Sequence, residues 1–189
     1  MSVIANALTT VVKVKLHLGI SVATYDSLFE QLIDEATLFI ETYCNRVISK
    51  TTHTDVLFDG DDYDSTLYIK NFPITEIDTI EYNNGTFATP DWTAYTTDQY
   101  EYNLAEGIIY FDVDLPSGKQ NVRITYTGGF TTVPQDIEMA CNKLVARYYN
   151  KRKSEGVSAE TAGITNLTWD DVLTKEITSV LNRYKNHTI

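Results

Sequence analysis

The sequence predicts an α+β protein: a helical core of about four helices carrying an inserted antiparallel β-sheet or small β-barrel. Three observations point there. Apolar residues recur at helical spacing near both ends of the 189-residue chain. Between about Val47 and Tyr126 that period gives way to short runs rich in Tyr, Ile, Thr and Phe, broken by turn residues. The helical pattern returns at Pro134, just after a β-like run ends in Gly128-Gly129.

Each element has its own signal. "TTVVKVKLHLGI" (9–20) is a short helix with Gly19 as its stop, opposed by its β-branched valines. Thr24 can cap a second helix that runs to about Asn45, with Asp26 near the positive end of its dipole. Its stripe is Phe29, Ile33, Ala36, Ile40 and Tyr43, widened by Leu28, Leu32 and Phe39. In the β segment, Asn84-Gly85 signals a tight hairpin, because both turn positions tolerate positive φ. Glu106-Gly107 and Pro116-Ser117-Gly118 mark further reversals, and the alternation over Val122–Tyr126 fits a strand with one wet face. Five or six short strands are expected. Ile137, Cys141, Leu144 and Tyr148 form one face of the main helix. After the polar "KRKSEGVSAETAGITN", Thr168-Trp169-Asp170-Asp171 reads as a capping box that opens a last helix.

The organisation expected is N-terminal core helices over 1–46, a β-rich insertion over 47–127, the main core helix over 128–153, a linker over 154–167 and a C-terminal docking helix over 168–189. A composition of 43% hydrophobic and 22% charged residues suits a globular chain that buries a core. No apolar run approaches the roughly 20 residues of a membrane helix. The start, "MSVIANALTT", lacks the basic and apolar regions of a secretory signal, so use without crossing a membrane is expected.

Charge is unevenly spread. Residues 51–130 hold three Lys/Arg against fourteen Asp/Glu, whereas 1–50 hold four against five and 131–189 eight against seven. The acidic middle disfavours adhesion to DNA phosphates and favours solubility or a basic partner.

Several stretches invite chemistry. "YTGGFTTVPQDIEMACNKL" could cradle a phosphate at a helix N-terminus. It lacks the Lys of a Walker A loop and the spaced glycines of a dinucleotide fingerprint. Asp136 and Glu138 also complement the dipole end themselves. The stretch reads instead as a structural elbow: Gly128 and Gly129 for the turn, Phe130 as a core plug, Pro134 for the first helical position. "DGDDYD" (59–64) fails the EF-hand spacing, with Gly60 second, Tyr63 fifth and Lys70 twelfth. A solvated acidic loop fits better, and a weak cation site shared with a neighbouring chain stays open. The cysteines Cys44 and Cys141 fall on apolar helix faces and read as a reduced core pair. His17, His53 and His187 have no ligand spacing, and no cofactor is anticipated.

Lys143, Arg147 and Lys151 lie four apart on one helical face, with Arg152 beyond. Two readings stand: a wet helix ending in cations, or contact with DNA phosphates or with the acidic segment of a neighbouring subunit. Trp169, Leu173, Ile177, Val180 and Tyr184 make an amphipathic stripe for docking on another chain. No nucleophile elbow, H-E-x-x-H or Cys–His pairing marks an enzyme. A soluble β-rich module binding carbohydrate or a host protein through exposed Tyr and Trp92 is the alternative reading.

The order of elements resembles the bacteriophage head–tail connector, or head-completion adaptor, family. "VKVKLHLGI" and "LFEQLIDEATLFIETYCNR" begin the match. "VRITYTGGFTTVPQDIEMACNKLVARYYNKRKSEGVSAETAG" carries its most specific part, with Tyr126, Gly129, Phe130, Pro134, Ile137, Ala140 and Leu144 in matching places. The linker departs from the family's hydroxyl–x–aromatic run, since Thr168-Trp169 stands there alone. The resemblance implies a structural virion protein, a ring of twelve copies at the head–tail interface, built in the host cytoplasm. Such a ring binds below the portal protein and extends the channel for double-stranded DNA without reading its sequence. It also offers a surface to a stopper or tail-completion protein.

Overall fold

Helix α1 (Val11–Leu18) begins where the Thr10 hydroxyl accepts from the Lys13 N–H, and it ends at Gly19 in the left-handed region, φ 69°. A single 3-10 turn, Ala23–Tyr25, leads directly into α2 (Asp26–Cys44). Thr24 therefore lies inside that turn and does not cap α2, contrary to the sequence reading; the Lys15 ammonium meets Asp26 at 2.8 Å instead. The computed structural model describes residues 3–61, 64–152, 159–162, 165–168 and 173–186, with 159–162 and 165–168 described by their backbone.

The chain forms two units, one of Met1–Arg46 with Val133–His187 and one of Val47–Thr132. In the first, α2 packs on α3 (Gln135–Lys151), and α1 and α4 (Lys175–Tyr184) each touch both. Phe29, Ile33, Ala36, Ile40, Ile137, Cys141 and Leu144 are all buried, as their helical spacing requires. Leu181 of α4 joins them with no exposure.

Among its described residues the second unit holds seven strands. One sheet orders β1 (Thr51–Gly60), β7 (Gly118–Gly128), β3 (Ile74–Asn83) and β4 (Trp92–Ala94) in the sequence β1-β7-β3-β4. The other orders β2 (Thr66–Tyr68), β6 (Ile108–Phe111) and β5 (Tyr100–Asn103) as β2-β6-β5. All pairs are antiparallel, and both sheets feed one core that includes Leu67, Ile80, Ile109, Phe111, Ile124 and Tyr126. Among the described residues of this unit the strands form two open sheets, so the barrel alternative is not realised.

Two local expectations are corrected. Asn84-Gly85 lies in the β3–β4 connection, yet the strands separate at Asn83 and Trp92, leaving an eight-residue loop. The Asn83 side-chain oxygen accepts from the Gly85 and Asp91 N–H groups, both at 2.8 Å, and so organises a wide loop in place of a two-residue turn. In the segment read as a linker, β8 (Ala159–Ala162) pairs antiparallel with β9 (Thr165–Thr168). Thr168 is thus a strand residue. The cap of α4 is Thr174, whose hydroxyl accepts from the Ile177 N–H at 3.3 Å.

Candidate interaction surface

The helical unit opens a trough along α3. One groove, about 250 Å³, runs between α3 and α4 and is lined by Met139, Ala140, Ile177 and Val180 with Lys143 and Glu176 on its rim. A second, about 510 Å³, runs between α1 and α3 past Leu16, His17 and Asn142. Gln135 and Met139 line both grooves. Met139 is 53% exposed, and Leu16 and Val12, one turn apart on α1, are 82% and 75% exposed. Leu16 and Met139 line the same groove, and Val12 stands one turn away on α1.

Ion pairs hold the walls. Lys13 of α1 meets Glu138 of α3 at 2.7 Å, and Lys143 meets Glu176 across to α4. Asp136, in the first turn of α3, accepts from Arg183 at 2.8 Å and from the Tyr184 hydroxyl at 2.7 Å. Burial first, and the hydrogen bond to Asp136 second, push the Tyr184 phenol up to about 12.

Part of the C-terminal stripe is used within its own chain. Ile177 is 1% exposed, Tyr184 is tied to Asp136, and Leu173 is half-buried. Ile177 and the half-buried Val180 line the groove between α3 and α4; Trp169 lies outside the described residues. A ten-residue helix with an apolar face covers it on the nearest apolar helices, here α2 and α3. The cations of α3 are not a bare row either. Lys143 is paired, and the Arg152 guanidinium lies 3.7 Å from the Tyr149 ring centroid and 5.7 Å from that of Tyr25. Arg147 and Lys151 are half-buried.

The elbow is tightly built at its first two residues. A Cβ on Gly128 would stand 2.0 Å from the Asn71 carbonyl oxygen, and one on Gly129, at φ 100°, would stand 2.4 Å from that of Ser49. Gly129 donates to the Pro73 carbonyl and Phe130 to that of Ile48. Phe130 is half-buried, and Pro134 stands one residue before α3, its carbonyl accepting from the Glu138 N–H at 2.9 Å.

Asp59 is occupied by Lys119 at 2.6 Å and by the Gln120 N–H, which hold its carboxyl below the usual range; Asp64 accepts from the Thr66 N–H. Asp62 lies outside the described residues, among which no group of three metal-ligating side chains occurs. Cys44 and Cys141 are free and buried, and burial pushes their thiols up to about 11 and about 12. Trp92 is half-buried beneath Arg123, whereas Tyr68, Tyr102 and Tyr110 are exposed. Among the described residues no helix is long and apolar enough to cross a membrane.

Sequence reasoning passed over Val12, Leu16 and Met139. The available signal was α1 itself: with Val14 buried, Val12 and Leu16 at i and i+4 face the other way.

Among the described residues, a unit of four α-helices and a unit of two antiparallel sheets make this an α+β protein. The chain belongs to the head completion protein family, which matches residues 7–187. Its fold is similar to chains in the neck of a native gene transfer agent (GTA) particle computed with C12 symmetry (TM-score 0.66, 16% identity) and of an empty one computed with C6 symmetry (0.62, 14%). A chain of the native GTA virion is similar too (0.66, 15%). These comparisons cover 100% of this chain and 94–95% of the others. No curated protein matches.

Proposed function

We propose that this chain is a non-catalytic structural component of the head–tail neck of a phage-like particle. In this reading twelve copies form a ring below the portal protein, extend the DNA channel and offer a surface to a stopper or tail-completion protein. The observation that carries it is the family match across 7–187, joined to a fold shared along the full length with chains of a twelvefold-symmetric neck.

The charge distribution supports the same role. Retention of DNA requires cations that replace condensed counterions, and the segment 51–130 holds only three against fourteen acids. A passage lined by such a surface lets the duplex slide without adhering. The apolar trough supplies what a ring component needs, which is surface left over for neighbours.

Removing the gene tests the reading. Particles made without this chain should contain DNA-filled heads and separate tails, and supplying the chain afterwards should join them. Complete tailed particles formed in its absence would overturn the proposal.

A further inference from the structure

Asn84-Gly85 is the one Asn-Gly pair in the sequence, and Asp59-Gly60 is the one Asp-Gly pair. Both carry the atoms for the same intramolecular reaction. The glycine backbone nitrogen gives up its proton and attacks the side-chain carbonyl carbon of the preceding residue. Asparagine then releases ammonia, a cyclic imide forms, and water opens it to aspartate or isoaspartate. Glycine favours the attack because it has no Cβ to hinder the backbone rotation that the ring closure needs.

The fold holds the attacking nitrogen in both places. The Gly85 N–H donates to Asn83 Oδ1 at 2.8 Å, and the Gly60 N–H donates to Asn121 Oδ1 at 2.8 Å. An N–H engaged with an acceptor gives up its proton less readily, and its nitrogen reaches the carbonyl carbon only by losing that bond. The target is held as well. Asn84 Nδ2 donates to Thr93 Oγ1 at 3.1 Å, and Lys119, 2.6 Å from Asp59, keeps that side chain a carboxylate, which resists attack. The chain is crowded around Gly85, where a Cβ would stand 2.3 Å from the Thr89 carbonyl oxygen and 2.7 Å from the Asp91 nitrogen. Asn83 Oδ1 accepts from the Asp91 N–H and the Asn84 N–H donates to the Asp91 carbonyl, both at 2.8 Å, so the loop is tied across its base.

We propose that Asn84 is a latent deamidation site and that Asn83 and Thr93 withhold it. Asn84 and Gly85 are exposed, so water is at hand, and conversion waits only on opening of the 84–91 loop. Water is the sole co-reactant and ammonia the leaving group. The product adds a negative charge beside Asp91, and in its iso form a backbone methylene, so the loop does not reclose as before.

Peptide mapping by mass spectrometry of the chain held in mildly alkaline buffer reads the reaction. In the folded parent Asn84 should convert at least about tenfold more slowly than in the same chain unfolded in urea, because opening must first break several hydrogen bonds. Asn83→Ala removes the shared acceptor and should speed conversion by about tenfold, with the amides of β3 and β7 still protected from hydrogen exchange. Asn83→Asp keeps an acceptor oxygen at that position and should convert near the parent rate. Equal rates in the folded and unfolded parent would overturn the proposal. So would Asn83→Ala converting no faster than the parent, or Asn83→Asp converting as fast as Asn83→Ala.

Discussion

The Tyr184 hydroxyl donates to Asp136 Oδ1 at 2.7 Å, and the same carboxylate accepts from Arg183 through Oδ2. One side chain in the first turn of α3 thus complements its own helix dipole and grips the last turn of α4. The aspartate read as an obstacle to anion binding turns out to be a clasp between helices. Tyr184→Phe should cost about 1 kcal/mol in chemical denaturation, and Asp136→Ala about 1–3 kcal/mol, because it strips both partners. Equal losses in the two variants would show that Arg183, itself 63% exposed, adds nothing.

The clasp also has an alkaline limit. The phenol's ordinary value is 10.0, and in the folded chain it is pushed up to about 12. A raised value means the contribution is complete below pH 10 and lost as pH rises from there through about 12. Ultraviolet titration comparing the parent with Tyr184→Phe should show one tyrosine missing from the late-titrating group.

His53 sets a limit on the acid side. It pairs with Tyr126 across β1 and β7 and stacks on it at 5.0 Å, with a buried Nε2 that has no hydrogen-bond partner among the described residues. Burial lowers its pKa below 6.5. A depressed value means stability is complete above pH 6.5 and is lost as pH falls through the lower folded value. Urea midpoints should fall between pH 7.5 and 5, and His53→Phe should flatten the part of that slope due to this residue.

The elbow separates two kinds of glycine. Gly129→Val adds a side chain at φ 100° where the Ser49 carbonyl oxygen leaves 2.4 Å, and should destabilise by at least about 2 kcal/mol. Gly19, at φ 69° with open space around it, should accept Ala for about 1 kcal/mol. Similar melting temperatures for the two variants would contradict the close backbone approach.

Removing α4 should damage the fold as well as any docking. Leu181 and Ile177 are buried, Cys44 Sγ lies 3.6 Å from the Leu181 carbonyl, and the Asn186 N–H donates to the Cys44 carbonyl at 2.8 Å. Leu181→Ala should cost about 2–5 kcal/mol. A chain ending near residue 173 should melt well below the parent. Unchanged melting after that truncation would mean the packing of α4 contributes little in solution.

Long periodic elements were legible in the sequence because burial on one helix face writes a repeat into it. The stripe from Phe29 to Ile40 and the one from Ile137 to Leu144 are both buried. The close backbone approaches at 128 and 129 leave room for no side chain, which accounts for the two glycines there. Local signals failed where another local arrangement competed. Asn84-Gly85 yielded to the side chain of Asn83, and Thr24 yielded to a 3-10 turn. The stripe of α4 showed that a face would be buried but not against what, and the nearest helices took it. Met139, Leu16 and Val12 went unseen for a different reason. Exposure of an apolar residue is a property of the assembled surface: the α1 pattern puts Val12 and Leu16 opposite Val14 but does not say which of the two faces the core takes.

The most direct test of the neck assignment is electron cryomicroscopy of the head–tail junction in the particle that carries this chain. The account predicts a ring of twelve copies there, each fitting this fold as two units. A junction fully explained by other chains, in particles that nonetheless join heads to tails, would contradict it.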